Sequence, residues 1–202
     1  MTLRLPARAR LPLLLGAGLL AAGALPVPAV AADEAALGDP AAPVTMIEYA
    51  SLTCPHCASF HVNTLPELEK RYIDTGKVRL VLRDFPLDQT ALKASVIAHC
   101  AGPDRYPQFV QVFFAQQATW ARSNNPEQAL RQLAQLGGLG ADKIDACLAD
   151  KALEDAILQA RLDGQQKYNI ESTPSFIIGD KTHSGDQSIE KFAELIDPLL
   201  PQ

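Results

Sequence analysis

The chain is 202 residues long and 48% hydrophobic, which suits one medium-sized domain with its own core. Its formal net charge is −5, from 18 Lys and Arg against 23 Asp and Glu. Proteins that bind nucleic acids neutralise phosphates with a basic stripe, and this sequence has none. The charge pattern therefore argues against nucleic acid as a partner.

The first 32 residues predict a secretory signal peptide. Three arginines lie in the first ten residues, a short apolar run follows over 11–25, and small residues end the segment at Ala31 and Ala32. The alternative is a retained membrane anchor, although the run is shorter than the roughly 20 apolar residues that a transmembrane helix needs. Cleavage after residue 31 or 32 predicts a periplasmic or otherwise extracytoplasmic protein. The mature chain would be more acidic, because the segment carries three bases and no acids.

Residues 33–43 predict an extended lead-in, and an apolar strand is predicted over 44–50. Alternation places Glu48 on the same face of this strand as the apolar residues Val44 and Met46. One interpretation is a glutamate that faces solvent from an edge or the end of a strand. The other is a partly buried acid, with a pKa raised by desolvation, that exchanges a proton with Cys57.

The motif Cys54-Pro55-His56-Cys57 follows the strand, and a helix is predicted to begin within it. A helix N-terminus presents unpaired N–H groups and the positive end of the helix dipole, which favour a thiolate at Cys54. His56 adds a donor or a positive charge beside the same sulfur. These effects lower a cysteine pKa from about 8.5. The motif predicts a redox-active dithiol in which Cys54 is the exposed attacking thiol and Cys57 the shielded resolving thiol.

Two other interpretations of the motif remain open. A C-x-x-C pair is half of a zinc site, and His56 or His61 would supply nitrogen ligands. No second C-x-x-C or H-x3-5-H pattern follows at the usual distance. The second alternative is a purely structural disulfide, although closing such a short loop would stabilise the fold little through chain entropy.

The segment after the motif predicts a β-α-β unit. The helix is expected to kink or restart near Pro66, where Thr64 and Glu67 have the spacing of a capping box. A turn is predicted at 74–77 and a strand at 78–83. Such a unit implies a parallel strand pair with a right-handed crossover.

Helices alone are predicted from residue 90 to residue 167. Gly102-Pro103 and Gly137-Gly138 separate them, and Asn125 is an expected N-cap. One helix, over 106–118, carries a stripe that is interpreted as core rather than as a ligand groove: Phe109, Val112, Phe113 and Gln116. A block of about 75 residues is too long for a loop, so it predicts a helical insertion.

The C-terminal segment predicts a hairpin and a last helix. Thr173-Pro174 precedes a Phe-Ile-Ile strand, and a proline suits the first position of a strand because it cannot donate to the sheet. A turn at 179–181 leads to a return strand with His183. The final helix begins at Ser188 and is expected to bury four residues: Ile189, Phe192, Ile196 and Leu199.

The strand, the C-P-H-C motif with its helix, and the distant Thr173-Pro174 pair resemble the DsbA-type thiol–disulfide oxidoreductases of the thioredoxin superfamily. The resemblance covers residues 44–202 and implies an α/β, thioredoxin-like fold: β-α-β, then β-β-α, with an all-helical insertion at about 90–167. It also implies a cis Pro174 that faces the dithiol, a substrate site that includes Thr173 and Pro174, and a buried Glu48.

Two further cysteines, Cys100 and Cys147, lie on different predicted helices of the insertion. An even cysteine count in an exported protein favours pairing, and four cysteines allow three connectivities. A Cys54–Cys57 pair leaves Cys100–Cys147 as a second, structural disulfide. The alternative is two buried free thiols.

The sequence thus predicts an exported enzyme that introduces or exchanges disulfides in secreted proteins, with the candidate catalytic residues Cys54, Cys57, His56 and Glu48. The dithiol serves as the cofactor, and no metal, nucleotide or flavin is expected. The expected partners of this monomer are reduced or misoxidised exported polypeptides and a membrane protein that recycles the dithiol. Alternatives are a disulfide isomerase or reductase of the same fold, since a Thr before this proline resembles the isomerase branch, or a non-catalytic module that binds metal or peptide.

Overall fold

The computed structural model describes residues 1, 2 and 35–201. Almost all of the predicted signal peptide, and residues 33 and 34 of the predicted lead-in, lie outside the described residues. Residues 35–201 belong to one compact unit. Within the described part of the chain, no helix is both long and apolar enough to cross a membrane.

A five-stranded sheet forms the centre of the fold, in the order β1-β3-β2-β4-β5. Strands β2 and β3 pair in parallel, and the other neighbours pair antiparallel. The strands have the following bounds: β1 Ala36–Leu37, β2 Val44–Ala50, β3 Val78–Asp84, β4 Ser175–Ile178 and β5 Lys181–Ser184. The predicted β-α-β and β-β-α units are therefore confirmed. Strand β1, inside the predicted lead-in, was not expected, because two residues are too few to show a periodic pattern.

One continuous helical stretch connects β2 to β3. It consists of α1 (Pro55–Ser59), a π-helical turn (Phe60–Thr64), α2 (Leu65–Leu68) and a second π-helical turn (Glu69–Ile73). The capping box expected at Thr64 is absent, since this residue has helical backbone angles and its side chain makes no cap hydrogen bond. Proline has no N–H for the regular helical hydrogen bond, and its ring clashes with the carbonyl four residues earlier. The π-helical turns on either side of α2, rather than a new N-cap, accommodate Pro66.

Six helices follow β3 and form the insertion: α3 Gln89–His99, α4 Tyr106–Ala115, α5 Gln117–Trp120, α6 Pro126–Leu136, α7 Ala141–Leu148 and α8 Lys151–Tyr168. The side chain of Asn125 caps α6 by accepting a hydrogen bond from the Gln128 N–H, as expected. The predicted stripe on α4 is wrong in part, because Val112 and Gln116 are exposed. Helix α4 ends at Ala115, and its buried face instead combines Phe109 and Phe113 with Val110 and Phe114.

The chain ends with α9 (Ile189–Ile196) and a 3-10 turn (Asp197–Leu199). Ser188 caps α9 by accepting from the Lys191 N–H. Phe192 and Ile196 are fully buried, whereas Leu199 is exposed, contrary to expectation, because the helix has already ended. The rings of Phe60, Phe176 and Phe192 pack together, with 4.7–5.6 Å between ring centroids. These aromatic contacts join the helix behind the motif, the sheet and α9 into one core that supports the site.

Candidate active site

Cys54 lies where the chain leaves the sheet and enters α1. It is the N-cap residue, with extended backbone angles, and its own carbonyl accepts the first helical hydrogen bond, from the Ala58 N–H at 3.2 Å. Its N–H donates to the Ser51 carbonyl at 3.0 Å. Pro55 occupies the first helical position, where no N–H is needed. The strand-to-helix transition expected from the sequence therefore directs the free N–H groups of α1 toward this cysteine.

The two thiols of the motif are free, and both are buried. Cys57 has no accessible surface, whereas 6% of Cys54 is accessible. The expectation that Cys54 is exposed is therefore wrong, although the expected order of accessibility holds. Cys54 is covered because Thr173 packs on its sulfur.

The two sulfurs differ strongly in acidity. The pKa of Cys54 is lowered to about 5, first by the hydrogen bond from the Cys57 thiol, and further by the Thr173 hydroxyl and the backbone N–H groups of Cys57 and His56. Burial opposes these effects and raises the same pKa. The pKa of Cys57 is raised far above its usual range, mainly by burial, and also by its bond to Cys54 and the nearby charge of Glu48. The pair therefore holds a thiolate at Cys54 and a thiol at Cys57 near neutral pH.

His56 acts on the Cys54 sulfur through its backbone N–H. Its imidazole is exposed on the outer face of α1. The predicted contribution of the imidazole charge stays a prediction.

Thr173 and Pro174 lie against the dithiol. In its thiol form, Cys54 Sγ donates to the Thr173 carbonyl at 3.2 Å, and the Thr173–Pro174 peptide bond is cis. The buried hydroxyl of Thr173 has no other hydrogen-bond partner among the described residues, which leaves it available to the Cys54 thiolate. The structure thus brings the predicted substrate-site residues to the Cys54 sulfur.

Glu48 is fully buried behind the motif. Its solvent-facing interpretation is wrong because β2 is a central strand, in which Glu48 pairs with Leu82 of β3 and Phe176 of β4. Its carboxylate lies 3.0 and 3.2 Å from His61 Nε2. Its role in proton transfer stays a prediction.

His61 also belongs to this site, although the sequence indicated it only as a possible zinc ligand. It is buried, and its ring stacks on Phe114 with 4.2 Å between ring centroids. The spacing offered a signal, because His61 follows Cys57 by four residues and therefore lies on the same helical face. Within the described residues, no group of three His, Cys, Asp or Glu side chains could hold a metal ion.

Gln117 is a second residue that the sequence did not indicate. Its buried side-chain amide donates to the Leu52 carbonyl at 2.8 Å and to the Cys54 carbonyl at 2.9 Å. Gln117 belongs to α5, so it attaches the helical insertion to the loop that leads to Cys54. A glutamine some sixty residues downstream carries no local pattern that would reveal this contact.

Cys100 and Cys147, which have a sequence separation of 47, form a disulfide. Cys100 caps the C-terminus of α3, and Cys147 lies in the last turn of α7. The bond therefore connects two helices of the insertion, and the alternative of two free thiols is absent from the structure.

The chain is similar to known proteins in both sequence and fold. The family model described as thioredoxin matches residues 31–198. The crystal structure of Wolbachia pipientis alpha-DsbA1 is 37% identical, superposes with a TM-score of 0.77, and is matched over 87% of this chain and 92% of its own. The chain belongs to the DsbA-type branch of the thioredoxin superfamily. A DsbA-type assignment accounts for the motif, the sheet order and the helical insertion together.

Two other known proteins are similar to this chain, one in sequence and one in fold. A putative protein-disulfide oxidoreductase of Rickettsia felis is 34% identical over 84% of this chain. The chain spans only about three fifths of the length of that relative, at 61%. BdbD from Bacillus subtilis, in its oxidised crystal structure, shares the fold with a TM-score of 0.73 at 22% identity.

Proposed function

We propose that this protein is an exported thiol–disulfide oxidoreductase that donates disulfides to secreted polypeptides. The observation that carries the proposal is the placement of the two thiols, with Cys54 at the N-cap of α1 against Thr173 and Cys57 fully buried beside it. This placement lowers the pKa of Cys54 to about 5 and raises that of Cys57 far above its usual range. The Thr173 carbonyl beside Cys54 supports a site for an extended peptide. The names of the relatives from Wolbachia and Rickettsia agree with this chemistry.

The reaction begins with the Cys54–Cys57 disulfide. A substrate thiolate attacks Cys54 Sγ, the bond between the two sulfurs breaks, and Cys57 leaves with the electron pair and takes up a proton. A second substrate thiolate then attacks the substrate sulfur of the mixed disulfide. Cys54 leaves as a thiolate, and the substrate keeps the new disulfide. The low pKa of Cys54 makes it a good leaving group, which favours release of the oxidised product.

The direction follows from linkage between acidity and redox potential. Interactions that stabilise the Cys54 thiolate stabilise the reduced form, so the disulfide accepts electrons readily. Each pKa unit below the ambient pH corresponds to about 1.36 kcal/mol, or roughly 30 mV for this two-electron couple. The reduced dithiol is returned to the disulfide by a membrane redox partner, and the protein works in the periplasm or another extracytoplasmic space. The dithiol is the only cofactor that this cycle requires.

An oxidation assay tests the function. The oxidised protein, mixed with a reduced and unfolded multi-cysteine protein, is expected to produce disulfides in stoichiometric amount, and Cys54→Ser is expected to produce none. The reduction potential, measured in glutathione buffers, is expected to be clearly less negative than the roughly −270 mV of thioredoxin. A potential at or below that value would refute the oxidising direction.

Thr173 supports a second candidate function, disulfide isomerisation, because its hydroxyl lies beside the attacking sulfur. Rapid refolding of a scrambled substrate, together with weak oxidation of a reduced one, would favour the isomerase. A non-catalytic module would neither oxidise substrate nor accelerate insulin reduction by dithiothreitol, and would instead bind zinc, copper(I) or peptide without turnover.

A further inference from the structure

The buried dithiol poses a problem of proton supply. Cys57 must gain a proton when it leaves the disulfide and lose one when it attacks again, if the proposed function is correct. Both Cys57 and Glu48 are fully buried, so neither exchanges protons directly with bulk water. His61 closes one side of Glu48 and is itself buried. A route from Glu48 to solvent is therefore needed within the protein.

A cluster of polar side chains lies on the same face of the sheet as Glu48. Parallel pairing places Glu48 opposite Leu82 and Ala50 opposite Asp84, so Asp84 is the diagonal neighbour of Glu48 two residues along β3. Asp84 Oδ1 accepts hydrogen bonds from Tyr106 OH at 2.9 Å and Ser95 Oγ at 2.5 Å. Its other oxygen lies 2.7 Å from His99 Nε2.

Two cavities flank this cluster. The smaller one has a volume of about 10 Å³ and is lined by Glu48, His61, Asp84 and Tyr106 among others. That volume is about the minimum that one buried water requires, and the four polar side chains supply enough partners for it. The larger cavity, of about 680 Å³, is lined by Asp84 and His99 on the opposite side. The His99 side chain is 30% exposed and that of Asp84 8%, so solvent reaches this end.

We propose that Tyr106 and Asp84 form a proton relay between Glu48, behind Cys57, and solvent at the His99 side of the insertion. In the outward direction, Cys57 gives its proton to Glu48, and Glu48 passes one to a water in the small cavity. That water protonates the Tyr106 oxygen while the Tyr106 hydroxyl gives its own proton to Asp84 Oδ1. Asp84 releases the proton to water in the large cavity. The reverse sequence delivers a proton to Cys57, so the relay is neither a source nor a sink.

The charges around the relay suit this role. Burial raises the pKa of Tyr106, as does the charge of Asp84, so the hydroxyl stays neutral and both donates and accepts. Burial alone would raise the pKa of Asp84, but the bond to His99 and those from Ser95 and Tyr106 lower it, so Asp84 accepts as a carboxylate. His99, stacked on Tyr106 at 4.2 Å, is a positioning residue for both.

Other groups that face the relay are few among the described residues. Arg83 of β3 lines both cavities, and the side of α8 that lines the large cavity is apolar. Toward Glu48, the titratable neighbours are Cys57 on α1 and His61 on the π-helical turn.

The test compares Tyr106→Phe with Ser95→Ala. Each removes one hydrogen bond to Asp84 Oδ1. Only the tyrosine lines the small cavity beside Glu48, and phenylalanine keeps the ring that stacks on His99. The Cys54–Cys57 disulfide of the purified protein is reduced by dithiothreitol in single turnovers from pH 5 to 9, in H2O and in D2O. Tyr106→Phe is expected to slow the proton-coupled step by on the order of tenfold and to increase its solvent isotope effect. Ser95→Ala is expected to match the wild type, and both variants are expected to keep its reduction potential.

Each outcome decides the proposal. Equal rates for Tyr106→Phe and the wild type would overturn the relay, and so would equal losses in both variants, which would indicate a structural role. If Tyr106→Phe fails to fold, Asp84→Asn, which keeps acceptor oxygen but cannot carry the proton, is measured in its place with the same expectation. Because dithiothreitol replaces the polypeptide, a wild type that exchanges with dithiothreitol but oxidises no polypeptide would refute the proposed function alone. A wild type inert to dithiothreitol would refute both.

Discussion

Cys54 and Cys57 are separated by two residues and lie in the same core, but their polar neighbours differ. Cys54 accepts hydrogen bonds from the Cys57 thiol, the Thr173 hydroxyl and the first turn of α1, whereas Cys57 lies beside the carboxylate of Glu48. Direct hydrogen bonds stabilise the charge on one sulfur, and desolvation penalises it on the other. The division of labour between the two residues is therefore a property of their burial and partners rather than of cysteine itself.

Alkylation of the reduced protein is expected to modify Cys54 alone between pH 5 and 7. The rate should rise with a midpoint near pH 5, where the Cys54 thiolate forms. It should remain slower than for an exposed thiol, because only 6% of the residue is accessible. Mass spectrometry of the modified peptides after iodoacetamide treatment measures which cysteine is modified and how fast. Preferential labelling of Cys57 would reverse the assignment of the two thiols.

Replacement of Glu48 by Gln is expected to preserve the fold and to slow thiol exchange between pH 6 and 8. The amide keeps the size of the side chain and a contact to His61, but it cannot transfer a proton. General acid–base groups contribute up to about 10²–10⁴-fold to rates, so a loss of at least tenfold is expected. The measurement is a stopped-flow pH–rate profile, with the exposed Glu67→Gln as control. An unchanged profile would remove Glu48 from the mechanism.

A disulfide and a side-chain amide are two of the connections that hold the helical insertion together and attach it to the rest of the fold. The Cys100–Cys147 disulfide joins α3 to α7. Gln117 attaches α5 to the loop that carries Cys54. The disulfide lies within the insertion, whereas the Gln117 contact reaches the loop that carries Cys54. Removing one should therefore have a different effect from removing the other.

Replacement of both Cys100 and Cys147 by Ala is expected to lower the melting temperature and leave the active-site potential nearly unchanged. A disulfide that closes a loop of this length, with a separation of 47 residues, stabilises by roughly 4 kcal/mol in the chain-entropy model. Calorimetry measures the melting temperature, and redox titration in glutathione buffers measures the potential of the Cys54–Cys57 pair. A large shift in potential would show that the bond acts on the dithiol.

Replacement of Gln117 by Met is expected to destabilise the protein by about 1–3 kcal/mol. The Leu52 carbonyl loses the donor that Gln117 supplies, and the Cys54 carbonyl keeps only its helical bond from the Ala58 N–H. Urea unfolding measures this loss. Gln116→Met is the matched control, since that side chain is exposed and next in the chain. Equal midpoints for the two variants would show that the amide is not needed to hold the loop.

At the scale of the whole molecule, the acidity of Cys54 links redox state to stability. Its folded-state pKa of about 5 lies below that of an unfolded cysteine, about 8.5. Such a depressed pKa stabilises the reduced fold fully near pH 8.5, and the gain diminishes as the pH falls and is lost below about 5. The raised pKa of Cys57 acts in the opposite sense only above pH 8.5, where the unfolded thiol ionises.

The reduced protein is therefore expected to melt at a higher temperature than the oxidised protein at pH 7–8. The gap should narrow progressively toward pH 5. Melting curves of both forms across this range measure it. A gap that widens as the pH falls would contradict the thiolate as its cause.

The sequence by itself determined the β-α-β and β-β-α units, the N-terminal position of Cys54 on its helix and the face on which Glu48 lies. These follow from local rules: alternation in a strand, capping preferences and the dipole of a helix end. Only the tertiary structure decided that Cys54 is covered, that His61 pairs with Glu48, and that Gln117 and Asp84 of distant segments reach the site. Such contacts join segments that only the packing of the insertion on the sheet brings together, and no local periodicity encodes them.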